Sequence, residues 1–174
     1  MLVYKRNESK LKIDELKIAL EYNPDSGDFV WKSRLSNRIK IGSIAGSVIN
    51  NGYLSIKLYG KKYLAHRLAV FYVSGKWPDG DVDHINHIRT DNSYRNLRVS
   101  TRKENCRNQM LCDRNKSGFV GVSWNKNAQK WISQIRVNYE VIYLGIFSDK
   151  QDAINARRLA NIRYGFHKNH GVSV

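Results

Sequence analysis

From Tyr63 to Val73 the chain reads Y-L-A-H-R-L-A-V-F-Y-V, a nearly continuous apolar segment broken only by His66 and Arg67. No other stretch limits the fold as strongly, because these side chains have to be buried, and the longest uninterrupted apolar run, Leu68 to Val73, is too short to span a bilayer. The pattern predicts a buried helix. Trp77-Pro78-Asp79-Gly80 then turns the chain and delivers the pair Asp83-His84 just beyond it. His66 reads as a hydrogen-bonded structural histidine before it reads as a ligand.

The elements around this anchor are short. Leu11, Ile13, Leu16, Ile18 and Leu20, with charged residues between them, predict an amphipathic helix ending near Asn23-Pro24. Asp25-Ser26-Gly27-Asp28 predicts a turn into a strand over Phe29 to Trp31. Asn50-Asn51-Gly52 predicts a hairpin, since Asn-Gly accepts the positive φ of a tight turn, and Tyr53 to Tyr59 supplies the strand after it. After the Asp-His pair, Asp81 to Asn86 and Asn96 to Ser100 read as two strands joined by the polar cluster Arg89-Thr90-Asp91-Asn92-Ser93. Thr101-x-x-Glu104 has the form of a capping box, which would put Asn105 in the second turn of a helix.

Composition sets the class of partner. The chain holds 30 Lys and Arg against 15 Asp and Glu, a formal charge of +15, and the excess is spread along its whole length. That distribution suits a surface lying along many phosphates, whereas a basic tail would concentrate it. At 41% apolar residues the sequence is too apolar for a disordered tail. Cys106 and Cys112 form no C-x-x-C pair, so neither a disulfide framework nor a four-cysteine zinc site is available, and a zinc finger drawing on His84 and His87 fails on spacing. The N-terminus lacks the apolar core of a signal peptide, so a soluble intracellular protein without membrane partners is expected.

Phosphodiester hydrolysis needs a base of near-neutral pKa, a hard cation on the phosphate and oxygen ligands to hold that cation. His84 suits the first role and His87 is a competing base. Asp83 and Asn105 suit the last, because Mg²⁺ accepts one or two protein oxygens and fills its remaining sites with water and phosphate. Asn96 would orient the imidazole and pin the loop between the strands. On a regular strand Asp83 and His84 point to opposite faces, so sharing one site would call for a strand end or a bulge.

The stretch His66-Arg67-Leu68, Trp77-Pro78-Asp79-Gly80, Asp83-His84-Ile85-Asn86, Asn96-Leu97-Arg98 and Glu104-Asn105 resembles the H-N-H nucleases of phages and mobile introns. The resemblance implies a ββα-metal motif in which His84 is the general base and Asn96 a structural member of the catalytic set. It also implies that Asp83 and Asn105 hold one Mg²⁺ or Mn²⁺ ion per site. His66, Arg67 and His87 would support the site. The last position is Asn where the family name has His, as in the homing-type branch, and Arg89 stands where an acidic or glycine-rich loop often occurs, its role left open by the resemblance.

Ser117 to Phe166 resembles the plant ethylene-response-factor (Apetala-type) DNA-binding domain through Gly118, Val120-Gly121-Val122, Trp124, Lys130-Trp131, Gln134-Ile135-Arg136, Tyr143-Leu144-Gly145, Phe147 and Ala153. The residues themselves predict three strands and a helix, with Gln134 and Arg136 projecting from one face, Ser148-x-x-Gln151 capping the helix, and Ala153, Ala156, Ala160 and Tyr164 along its buried side. The resemblance implies DNA contacts from Gln134, Arg136 and Tyr143, with Trp124, Lys126 and Lys130. Val120, Ser123 and Asn125 stand where the plant domain has arginines, so its target sequence does not carry over.

The expected protein is therefore an α+β chain of small modules. These are an N-terminal helix with hairpins over 1–60, the H-N-H nuclease motif over 61–112, a linker over 113–116, and a three-stranded antiparallel sheet with one helix over 117–168. The expected activity is metal-dependent cleavage of double-stranded DNA by a phage homing-type enzyme in the cytoplasm of an infected bacterial cell. No protein partner is implied, although a homodimer would let two centres cut both strands. The alternative is a non-enzymatic DNA-binding regulator with a degenerate nuclease motif.

Overall fold

The computed structural model describes residues 8, 10–101, 104, 105, 107, 108, 111 and 115–171. It is an α+β chain in two compact units, Met1–Arg102 and Lys103–Val174. Among the described residues no helix is long and apolar enough to cross a membrane.

The first unit begins with α1 (Ile13–Ala19), whose Glu15 carboxylate accepts the Lys12 N–H at 2.8 Å and closes the helix start. The helix stops earlier than its apolar spacing suggests. Leu20 is already extended and opens β1 (Leu20–Tyr22), which pairs antiparallel with β2 (Phe29–Trp31). Strands β3 (Ser47–Val48), β4 (Leu54–Leu58) and β5 (Lys61–Leu64) form a second antiparallel sheet. The Asn50-Asn51-Gly52 turn joins the first two of these, with Gly52 at φ 80° and its N–H donating to Ile49.

The apolar segment is divided rather than wholly helical. Tyr63 and Leu64 pair with Ile56 and Ser55 at the end of β5, and α2 (Ala65–Ser74) starts only after them, buried from Ala65 through Phe71. Gly75, left-handed at φ 72°, ends it. β6 (Asp81–His84) and β7 (Leu97–Ser100) then form a two-stranded ribbon, with a 3-10 turn (Tyr94–Asn96) leading into β7. Val99, on the same face of β7 as the buried Leu97 by strand alternation, is 50% exposed.

Residues on both sides of position 60 share one core. Leu16, Leu20, Phe29, Ile56 and Leu58 pack in the same cluster as Leu68, Val82 and Leu97. Arg67, 2% exposed, ties α2 to the turn that follows it. Its guanidinium is paired with Glu8 and donates to the carbonyls of Pro78 and Gly80, both at 2.8 Å, so each of its three nitrogens is hydrogen-bonded where the charge is buried.

The second unit holds β8 (Val122–Asn125), β9 (Lys130–Val137) and β10 (Glu140–Phe147) in the order β10-β9-β8, backed by α3 (Lys150–Arg163). The helix is capped by Asp149, not Ser148. The aspartate carboxylate accepts the N–H groups of Gln151 and Asp152, and an ionised cap also complements the helix dipole. Its buried face is Ala153, Arg157 and Ala160. Arg157 donates to the Gln134 carbonyl at 2.6 Å and to Asn161 at 2.9 Å, and burial lowers its pKa to about 10. Gly121 leaves the room this requires, because a Cβ there would stand 2.2 Å from the guanidinium.

Candidate active site

His84 closes β6 and is 4% exposed. Its Nε2 lies 3.3 Å from Oδ1 of Asn92, whose amide nitrogen donates to the Thr90 carbonyl at 3.1 Å. That donation fixes which end of the amide faces the ring. An oxygen opposite it favours the tautomer with the proton on Nε2. Burial pushes the imidazole pKa below its ordinary value, against the Asn92 hydrogen bond and the nearby carboxylates of Asp83 and Asp91, which raise it. A neutral imidazole can accept a proton from water.

The loop after His84 is tied by side chains at almost every position. Asn86 donates to Asp91 at 2.7 Å and accepts the Ile88 N–H at 2.9 Å. Asp91 also accepts the N–H and hydroxyl of Ser93, at 3.1 and 2.6 Å. Burial opposes the charge on Asp91, but the hydrogen bonds from Ser93 and Asn86 outweigh it and hold the carboxyl below its ordinary range. Asn96 ties the loop by accepting the Asn86 N–H at 3.0 Å and donating to the Asp91 carbonyl at 2.8 Å. The side chain that faces the imidazole Nε2 is Asn92. His87, at φ 66°, donates its backbone N–H to the His84 carbonyl in the turn that leaves the strand.

Residues far away in sequence hold Asn92. The Tyr22 hydroxyl donates to its carbonyl at 2.7 Å and the Tyr94 N–H donates to Pro24 at 2.8 Å. Gly27 packs so closely that a Cβ there would stand 2.3 Å from the Asn92 carbonyl carbon. The β1–β2 hairpin is thus a brace for this loop. Sequence reasoning missed Asn92, although it stood in the polar cluster already singled out, because nothing local distinguishes it from Asn86 or Asn96.

Beside His84 lies His66, 3% exposed, the two rings edge to face at 5.0 Å. The expected hydrogen bond is not seen at its Nδ1. Ring contacts surround it instead, with Tyr53 5.0 Å from His66 and 5.8 Å from His84. Burial, then the neighbouring His84 and Arg67, hold its pKa well below the ordinary value, so it sits neutral among these rings.

Asp83 stands on the opposite face of β6 from His84, as strand alternation requires, and directly across from Arg98 on β7. Its Oδ2 accepts from Arg98 Nε at 3.1 Å and Nη2 at 2.8 Å. Among the described residues no group of three or more His, Cys, Asp and Glu side chains gathers. The carboxylates on this strand are the half-buried Asp81 and Asp83, two positions apart and so on one face, and such a sparse oxygen set fits a hard divalent cation that keeps most of its water. Asn105 falls in the second unit, in a helical turn with Glu104, and its carbonyl accepts the Asn108 N–H. Arg102 and Lys103, between the two capping-box residues, lie outside the described residues, as do Cys106 and Cys112.

In the second unit Gln134, Arg136 and Tyr143 project from one face of the sheet, Gln134 directly opposite Tyr143. Lys130 shares that face by alternation, and Lys126 lies in the turn after β8. Trp124 does not share it. It pairs with Trp131 on the side of Val122 and Ser133, the two indoles 5.2 Å apart.

Residues 63–107 match the model of the HNH endonuclease family. A solved structure described as "DNA binding and cleavage by the HNH homing endonuclease I-HmuI" is similar over 92% of this chain and 94% of that one, at 19% identity and a TM-score of 0.45. No curated protein matches the sequence. The matched family segment runs from the end of β5 past the ribbon, and so includes His84, Asn92 and Asp83.

Proposed function

We propose that the protein is a divalent-metal-dependent DNA endonuclease of homing type, hydrolysing phosphodiester bonds with His84 as general base. The observation that carries this reading is the buried imidazole facing the Asn92 side-chain oxygen, one residue from a carboxylate, inside a segment that matches the nuclease family.

In this reading the His84 imidazole takes a proton from the attacking water, while the Asn92 side chain helps to hold the ring in place. Asp83 is the carboxylate that would hold Mg²⁺ or Mn²⁺, and the motif adds Asn105 as a second oxygen donor. The bound ion would polarise the phosphate and stabilise the departing oxygen. Arg98 across the ribbon keeps the carboxylate oriented. The exposed sheet face carrying Lys130, Gln134, Arg136 and Tyr143 would add binding along duplex DNA, in keeping with its resemblance to the ethylene-response-factor domain. One such centre cuts one strand per encounter, and a second copy would be needed to cut both.

The test is cleavage of plasmid and phage genomic DNA with added Mg²⁺ or Mn²⁺, with nicks mapped on both strands. His84→Ala should lower the rate by about 10² to 10⁴ while duplex binding in EDTA persists. Equal cleavage by wild type and variant would reject His84 as the base. A wild-type protein that binds but cuts with neither metal would instead support a DNA-binding regulator.

A further inference from the structure

Arg89 takes no part in the chemistry assigned above. It lies in the loop between β6 and the 3-10 turn, five residues after His84, and its side chain is exposed. An exposed arginine normally samples many rotamers, and ordering it costs side-chain entropy. This one is held at two points. Nη1 donates to the Asn51 carbonyl at 2.7 Å, and the guanidinium lies over the Tyr53 ring at 5.1 Å. Tyr53 in turn contacts the rings of both His66 and His84. The guanidinium is therefore the outer layer of a set of ring contacts whose inner members are the two buried histidines.

A guanidinium has five N–H donors, and the bond to Asn51 uses one. Among the described residues Arg89 has no further hydrogen-bond or ion-pair partner, so most of the fork faces outward. Two anchors prevent the side chain from extending into a groove to read base edges. A phosphate is different: it can come to the surface and take two parallel N–H groups from a fixed, planar cation.

We infer that Arg89 binds a backbone phosphate of the DNA strand beside the cleaved bond, as a cation positioned in advance by Asn51 and Tyr53. This rests on the nuclease reading and adds a substrate contact to it. Because the guanidinium is ordered before DNA arrives, less entropy is lost on binding. Charge held beside the reacting phosphate also favours the more highly charged transition state.

The experiment is single-turnover cleavage in Mg²⁺ of a duplex carrying a mapped nick site, in which phosphates around the cut are replaced one at a time by neutral methylphosphonate. Wild type, Arg89→Ala, Arg89→Lys and His84→Ala are compared, with thermal melting of each protein and Arg89→Gln in reserve should the alanine variant unfold. Arg89→Ala should slow cleavage on the order of 100-fold. Arg89→Lys, which keeps the charge and loses the fork, should fall between. At one phosphate position, neutralisation should slow wild type but not slow Arg89→Ala further, a coupling that a merely structural arginine would not produce. Independent effects at every phosphate, or wild-type cleavage by Arg89→Ala, overturn the inference. If wild type cuts and His84→Ala does not, the nuclease reading survives that result. A wild-type protein inactive with both Mg²⁺ and Mn²⁺ overturns the two together.

Discussion

Asn92 Oδ1 stands 3.3 Å from His84 Nε2, and the same side chain donates to the Thr90 carbonyl, so the amide presents its oxygen to that imidazole nitrogen. Asn92→Ala should remove this oxygen and loosen the hold on the ring and its tautomer. Its cleavage rate should fall roughly 10- to 100-fold, the usual effect of losing an orienting partner. Asn92→Asp keeps an acceptor at that position but adds a negative charge, which favours the imidazolium. The pH at which cleavage rises to half its plateau should therefore move upward. Rate against pH for the three proteins is the measurement, and an unchanged profile for Asn92→Asp would remove Asn92 from this role.

Gly27 makes the N-terminal hairpin part of the same device. A methyl group there would meet the Asn92 and Ser93 backbone at 2.3 Å, and the residue sits at φ 82°, where L side chains are strained. Gly27→Ala should destabilise the first unit by about 1 to 3 kcal/mol. It should also reduce cleavage more than it reduces duplex binding, because the loop that must yield is the one holding His84. Urea unfolding alongside cleavage and binding assays would separate the two effects. Equal losses of cleavage and binding would mean that Gly27 acts through folding alone.

The parts legible in the sequence were those carried by local chemistry. Asn50-Asn51-Gly52 gave a turn because Gly52 supplies the positive φ, and Asp83 and His84 fell on opposite strand faces because strand periodicity is two. Departures came where tertiary pairing decided. Tyr63 and Leu64 belong to a strand because Ile56 and Ser55 pair with them, although their composition continues that of α2. Asp149 displaced Ser148 as the cap of α3 by accepting two backbone N–H groups. Asn92 could not be chosen from three nearby asparagines, since its role depends on Tyr22, Pro24 and Gly27, more than sixty residues away. Arg157 was hidden in a helix whose alanines suggested a small-residue face.

The buried histidines make stability depend on pH. In the unfolded chain each takes up a proton near pH 6.5, whereas burial holds both folded values lower, His66 well below. Between these values the unfolded state binds more protons, so stability rises with pH. The contribution is complete above about pH 6.5 and is lost progressively as pH falls toward the folded values. Urea unfolding at fixed ionic strength should show a loss of at least about 1 kcal/mol between pH 7.5 and 5.5. His66→Phe should flatten that dependence. A slope identical to wild type would show that His66 takes up its proton at the same pH in the folded and unfolded chain.

The second unit separates binding from stability by the two faces of one sheet. Gln134, Arg136 and Tyr143 project from the face away from α3, whereas Trp124 packs with Trp131 on the helix side. The resemblance groups Trp124 with the DNA contacts, but the register gives it a different neighbourhood. Arg136→Ala should weaken duplex binding by about 1 to 3 kcal/mol if it reads a base edge, with relaxed sequence preference at one position. If it meets only phosphate, the loss should be uniform across sequences and the salt slope should fall by about one. Trp124→Ala removes an aromatic pair and should instead lower the melting temperature of the second unit with little change in affinity. Binding isotherms at several salt concentrations, paired with thermal melts, distinguish these outcomes. Loss of affinity without loss of stability in Trp124→Ala would place the indole on the DNA after all.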